Sequence, residues 1–213
     1  MINFLDERNL RLQALKNQGE GSIEFFKNSI QNNPALIEKQ KILDAVDYSL
    51  SLNYFHNGLS KESYISHPLR VALLTLNYIK NLETDYIVLA LLHNVYEVTT
   101  VNKEDLIKYF GEEIHNSIEV LTVNREKQWE KSYKKSFYDQ IMAASLQTKL
   151  IKILDKFDNI FLINSNKNYS IRNKYLSEIK EYILPMTKKY LPIIYDDFVI
   201  SCIEAEKLGY ISN

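Results

Sequence analysis

Apolar positions recur along this chain at helical rather than strand spacing. Residues 3–17 are polar with apolar marks at Phe4, Leu5, Leu10, Leu12 and Leu15, and predict a helix. Ser22–Ile30 predicts a second, stopped by Asn32-Asn33-Pro34. A stronger helix spans 36–55, with Ile37, Ile42, Leu43, Val46, Leu50 and Leu52 apolar, and His56–Ser60 reads as a loop. Pro68, taken as a first-turn residue, opens a helix from Leu69 to Ile79. Glu83–Val98 is apolar on nearly every face in its middle, the pattern of a helix buried inside a bundle. His93 falls in its second half.

Asn102 is placed to cap a helix ending at Phe110, Gly111 breaks it, and another runs from Glu112 to Leu121. The mixed charges of 124–135 suggest a solvated loop or a loosely held helical lid. Helices follow over 136–144 and 148–163. The latter sets Leu150, Ile153, Leu154, Phe157, Ile160 and Phe161 on one face and Lys149, Lys152 and Lys156 on another, which reads as solvated. Helices 171–189 and 192–208 close the chain. The expectation is an all-α fold: a helical extension over 1–35, serving as a cap or a dimerisation arm, and one globular unit over 36–213.

Composition supports this. Of 213 residues 46% are hydrophobic, enough for a sizeable core, while 5 Gly and 4 Pro are too few for a turn-rich β fold. A net charge of -1 offers no bulk attraction to nucleic acid or anionic membrane. The lysines and aromatics around Trp129 are diluted by Glu126, Glu130 and Asp139. The single cysteine excludes a disulfide framework and suits a reducing compartment. Met1–Arg8 does not read as a signal peptide, and no apolar run approaches the ~20 residues of a membrane span. A cytoplasmic protein without nucleic-acid or membrane partners is expected. The tyrosines at 182, 190, 195 and 210 suit core packing and a homodimer contact.

Asp155 and Asn159, four apart, project from one side of their helix, where the carboxylate can meet a histidine from another helix. Imidazole and carboxylate together suit a divalent cation. The ordered set Tyr64-Ile65-Ser66-His67-Pro68, Ala90–Thr99 around His93-Asn94, Tyr109-Phe110-Gly111-Glu112-Glu113-Ile114, Val120-Leu121-Thr122 and Ile151–Asn159 resembles the HD-domain hydrolase superfamily. Within it, the chain is similar to the guanosine tetra/pentaphosphate (ppGpp) hydrolase domain of RelA/SpoT-type proteins and their small stand-alone relatives. The resemblance covers about residues 36–190.

That resemblance implies an HD-domain helical bundle holding one divalent metal, typically Mn2+. Two histidines, the aspartate of a His-Asp pair and a late aspartate would be its ligands, with an acidic pair assisting attack of water on a 3′-pyrophosphate. Carried over, His93 stands at the paired histidine, Asp155 at the late aspartate, Glu97 at the first catalytic acid and Asn159 at the substrate-side asparagine. Lys152 and Tyr64 join the substrate side. The departures fall in the site itself. Asn94 replaces the paired aspartate, Val98 the second acid, and Gly58 and Leu59 the basic residues expected before Ser60. Counting back from His67 puts Asn53 at the early histidine, with His56 a substitute if the helix end shifts by one turn. His67 itself then reads as a structural histidine bonded to backbone beside Pro68.

With Asn53 and Asn94 as ligands only His93 and Asp155 remain strong donors. The expected protein is therefore an HD-fold phosphohydrolase-like chain with a partly lost metal site, little or no hydrolysis and a retained small phosphorylated (nucleotide) ligand. Two alternatives stand beside it: an active metal-dependent phosphohydrolase with altered ligands, and an oligomerisation module with an empty cleft and no cofactor.

Overall fold

The computed structural model describes residues 3–17, 21–55 and 59–212. His56 and Gly58, to which the sequence reading gave roles, lie outside the described residues. The described chain is all-α, with one isolated bridge between Tyr54 and Thr99. The order begins with α1 (Phe4–Lys16), α2 (Ser22–Gln31), α3 (Lys39–Ser51), α4 (Lys61–Tyr78), α5 (Thr84–Leu92) and α6 (Val95–Val98). It continues with α7 (Lys103–Phe110), α8 (Glu112–Leu121), α9 (Lys131–Ala143) and α10 (Leu146–Ile160). After α11 (Tyr169–Glu178), a π-helical turn (Ile179–Ile183) leads without a break into α12 (Leu184–Tyr190), and α13 (Tyr195–Leu208) ends the bundle.

The apolar run Ile87–Leu92 makes α5 the hub. Each of its six residues is no more than 2% exposed, and the helix packs against α3, α4, α8 and α10. A helix apolar all round can shed water only by being enclosed in this way. It stops earlier than its apolar pattern predicted. Leu92 is its last residue, Asn94 sits at φ -109° and ψ 3°, and the single turn α6 follows. The predicted helix Glu83–Val98 is thus broken at His93-Asn94.

α4 departs in the opposite sense. It starts seven residues before the predicted Pro68, because Ser60 caps it by accepting a hydrogen bond from the Ser63 amide at 3.3 Å. Pro68 lies inside the helix, where burial of Tyr64, Ile65, Leu69, Val71 and Ala72 outweighs its missing N–H. Tyr64 and His67 therefore share one helical face. α9 likewise begins at Lys131, so the last five residues of the charged segment are helical.

α1 and α2 pack onto the main body through α4. Phe26 and Ile30 are fully buried, and Phe4 meets the Phe161 ring at 5.4 Å. Among the described residues no helix is long and apolar enough to cross a membrane.

Candidate metal centre

Three side chains, two from helices and one from the break after α5, converge beside the end of α5. Nitrogen and oxygen atoms of His67 (α4), His93 (after α5) and Asp155 (α10) lie within 4.8 Å of one another. The early histidine assigned to Asn53 is thereby corrected. Asn53 is solvent-exposed beyond the end of α3, and the histidine that meets His93 and Asp155 is His67. Nor is His67 held by backbone. Its Nδ1 lies 2.8 Å from Asp158 Oδ2 and its Nε2 3.3 Å from Asp155 Oδ1. The gapless count failed because α4 extends back to Lys61 and carries the His-Pro pair well inside it.

Each ring is oriented by its other nitrogen. His93 Nδ1 donates to the Ala90 carbonyl at 2.7 Å, which leaves Nε2 facing Asp155 Oδ1 at 3.6 Å. This backbone bond needs a carbonyl on the last turn of α5 within reach of a side chain just past the helix, so the break at His93-Asn94 is part of the site. The two imidazoles stand 5.2 Å apart, edge to face at 70°. Neither Nε2 makes a hydrogen bond, although both are buried. Two orphaned imidazole nitrogens and a carboxylate oxygen at this spacing fit a divalent cation with nitrogen and oxygen preferences.

Asp155 is 4% exposed. Its Oδ1 accepts from Asn159 Nδ2 at 2.7 Å, and its Oδ2 lies 3.2 Å from Lys152 Nζ. Burial would raise its pKa, but Lys152 first, and then the two histidines, hold it well below the usual carboxylate range. Lys152 is thus corrected from a solvated face to a buried ion pair, 3% exposed. Little of α10 faces water, since α4, α5, α8 and α12 surround it. For His67, burial alone would lower the pKa, yet contacts with Asp155 and Asp158 reverse the sign and raise it.

The remaining expected residues divide. The Asn94 side chain bonds Tyr64, whose hydroxyl is pushed upward first by burial and then by nearby Glu97 and Asp155. Glu97 turns to the loop after α8. Its Oε1 accepts from the Val123 amide at 2.9 Å, and Oε2 pairs with Arg125 at 2.5 Å. Val98, where the resemblance would put a second acid, is buried at 4% exposure.

A cavity of about 310 Å³ opens between this loop, α9, α10 and α11. Trp129, Tyr133, Phe137 and Tyr175 give it aromatic walls, and Arg125, Lys134, Lys156 and Glu178 give it charge. Glu178 accepts from Tyr138 at 2.6 Å and pairs with Lys156 at 2.8 Å and Lys134 at 3.4 Å. The Tyr175 hydroxyl is buried there without a hydrogen-bond partner. The sequence reading missed His67, Arg125 and Glu178 as site or near-site residues. For His67 the signal was present in Tyr64–Pro68; for the other two nothing in the linear pattern pairs them with their partners.

The solved structures decide the fold. A chain described as a metazoan ortholog of SpoT that hydrolyses ppGpp superposes with a TM-score of 0.65 at 19% identity, covering 82% of this chain and 99% of that one. The chain shares that protein's fold, an all-α HD-domain bundle. A Listeria monocytogenes EGD-e protein shares it less closely, with a TM-score of 0.54 and 23% identity over 66% of this chain and 94% of that one. In sequence, the chain is 33% identical over 99 residues to a guanosine-3′,5′-bis(diphosphate) 3′-pyrophosphohydrolase of Borreliella burgdorferi. It is 37% identical over 73 residues to a probable enzyme of the same name from Mycoplasma pneumoniae. The matches take up 46% and 34% of this chain but only 14% and 10% of those relatives. No family model matches the chain.

Proposed function

We propose that this protein is an HD-fold, divalent-metal-binding protein that takes a guanosine polyphosphate or related nucleotide and hydrolyses it slowly or not at all. The observation that carries the metal reading is the pair of buried Nε2 atoms of His67 and His93 that face Asp155 without making a hydrogen bond. With His67 in the set, three strong donors are available instead of the two expected when Asn53 stood in that place. Metal affinity is accordingly placed higher than the sequence alone suggested.

Held by His67, His93 and Asp155, a divalent cation would supply Lewis-acid polarisation of a phosphoryl oxygen and would lower the pKa of water. The chain's own residues do the rest. Asn159 and Lys152 hold Asp155 ionised and oriented. Trp129, Tyr133 and Tyr175 offer faces for an organic ring, and Arg125 is the exposed cation at the cavity for a phosphate. What hydrolysis lacks is a poised base. Val98 is apolar, and Glu97 is occupied by Arg125 and the Val123 amide. A positioned general base contributes about 10²–10⁴-fold, so its loss leaves a slow reaction.

The second reading, a working phosphohydrolase, draws on Glu97, which would be freed if a phosphate drew Arg125 away. One assay separates the two: release of pyrophosphate from ppGpp with Mn2+ by wild type, His93→Ala and Asn94→Asp/Val98→Asp. The proposal expects a barely measurable wild-type rate, lost in His93→Ala and raised roughly 100-fold or more in the double variant. A wild-type turnover near ~10 s⁻¹, the median for enzymes, that His93→Ala abolishes would overturn it in favour of the second reading.

A further inference from the structure

We infer that Asp158, clamped by Arg11 of α1 and Arg70 of α4, is the positioning residue of the metal centre, and that the amino-terminal helix is therefore part of that centre. The inference rests on the metal reading of His67, His93 and Asp155.

Asp158 has no solvent exposure. A buried carboxylate must be paired and hydrogen-bonded to remain charged, and this one is saturated. Arg11 Nε donates to Oδ1 at 2.9 Å. Arg70 donates through Nε to Oδ1 at 3.0 Å and through a terminal nitrogen to Oδ2 at 2.9 Å. His67 Nδ1 takes the remaining site on Oδ2 at 2.8 Å. Because an ionised carboxylate only accepts, the His67 nitrogen at that contact carries the proton. Its Nε2 is thereby turned to Asp155 and His93. A carboxylate behind a metal-ligating histidine fixes ring orientation and tautomer, and its loss typically costs 10–100-fold in metal affinity.

The two arginines have separate supports, which makes the clamp rigid. Arg70 also donates to the Ser66 hydroxyl at 3.0 Å on its own helix. Arg11 is 4% exposed, lies over the Phe161 ring at 4.3 Å, and is held on its own helix by the Glu7 carbonyl at 3.0 Å and the Glu7 carboxylate. The chain of contact from α1 to the His67 ring thus consists of charge-assisted bonds only, with no intervening water required. Residues 1–35 gain a task that the sequence left open: α1 supplies one of the two cations that hold Asp158 in place.

The test has two arms. In the metal-free wild type, ring-nitrogen NMR of the four histidines, with His67→Gln as the assignment control, should show His67 Nδ1 protonated and slow to exchange. A bare Nδ1 would overturn the inference whatever the protein binds. In the second arm, Mn2+ alone is titrated calorimetrically into wild type, Asp158→Asn and Arg11→Met, with folding checked by circular dichroism. Asp158→Asn should bind about 10–100-fold more weakly and Arg11→Met more weakly by a smaller factor. A purely structural network would lower the melting temperature of both and leave affinity within about twofold, which refutes the positioning role. If Asp158→Asn does not fold, Arg11→Met decides on the same criterion. If the wild type takes up no Mn2+, the metal reading fails by itself, and the NMR arm still judges the orientation of His67.

Discussion

Glu97 and Glu178 show how two carboxylates in neighbouring surroundings are given different work. Glu97 faces the loop after α8 and spends both oxygens there, on the Val123 amide and on Arg125. The Arg125 side chain is 61% exposed, so this pair is the one a phosphate ligand can compete for. Glu178 is locked. Burial would raise its pKa, but Lys156, then Tyr138 and Lys134, bring it down to about 2 from an ordinary 4.5. A depressed carboxylate contributes stability that is fully present above its unfolded pKa and is lost as pH falls through the folded one. Glu178→Gln should therefore destabilise the protein at neutral pH by roughly 3 kcal/mol, with the difference from wild type shrinking as the pH falls from about 5 to about 2. Urea unfolding at a series of pH values measures this. A difference independent of pH would refute the assigned charge pairing.

At the scale of elements, the site depends on where three helices start and stop. α5 ends one residue before His93, α4 begins early enough to make His67 its seventh residue, and α10 starts at Leu146, capped by Ser145, whose hydroxyl accepts from the Thr148 amide at 3.1 Å. Removing that cap with Ser145→Ala should cost about 1 kcal/mol and lower the melting temperature by roughly 2–4 °C. A calorimetric scan showing no shift would argue that the cap bond is not formed in solution.

These boundaries also show what was legible in the sequence. The 3.6-residue periodicity located the helices, and the all-round apolar run singled out α5, because burial on every side is written directly in residue type. The break at His93-Asn94 was not legible. It needs the His93 ring to reach the Ala90 carbonyl and the Asn94 side chain to reach Tyr64, contacts that no local propensity encodes. The start of α4 was misplaced for a related reason. Proline was weighed by its local cost alone, while the packing around it decided the outcome.

For the whole molecule, the fold was readable from a few short motifs in order, and the comparison with solved structures bears out the all-α, HD-domain expectation. The site was readable only in part. His93 and Asp155 do come together, yet the side chain that joins them is His67 and not Asn53, because counting along the chain cannot see which helix face turns inward. The long-range groups Arg11 and Asp158, 147 positions apart, became visible only in three dimensions. Their contact ties α1 to α10.

The central claim is that His67, His93 and Asp155 form a working metal site. Equilibrium titration of Mn2+ into the purified chain tests it most directly, with His67→Ala and Asn53→Ala as paired variants. The account predicts one Mn2+ per chain in the wild type, unchanged in Asn53→Ala and lost in His67→Ala. Binding that vanishes in Asn53→Ala but survives in His67→Ala, or a wild type that takes up none, would contradict it.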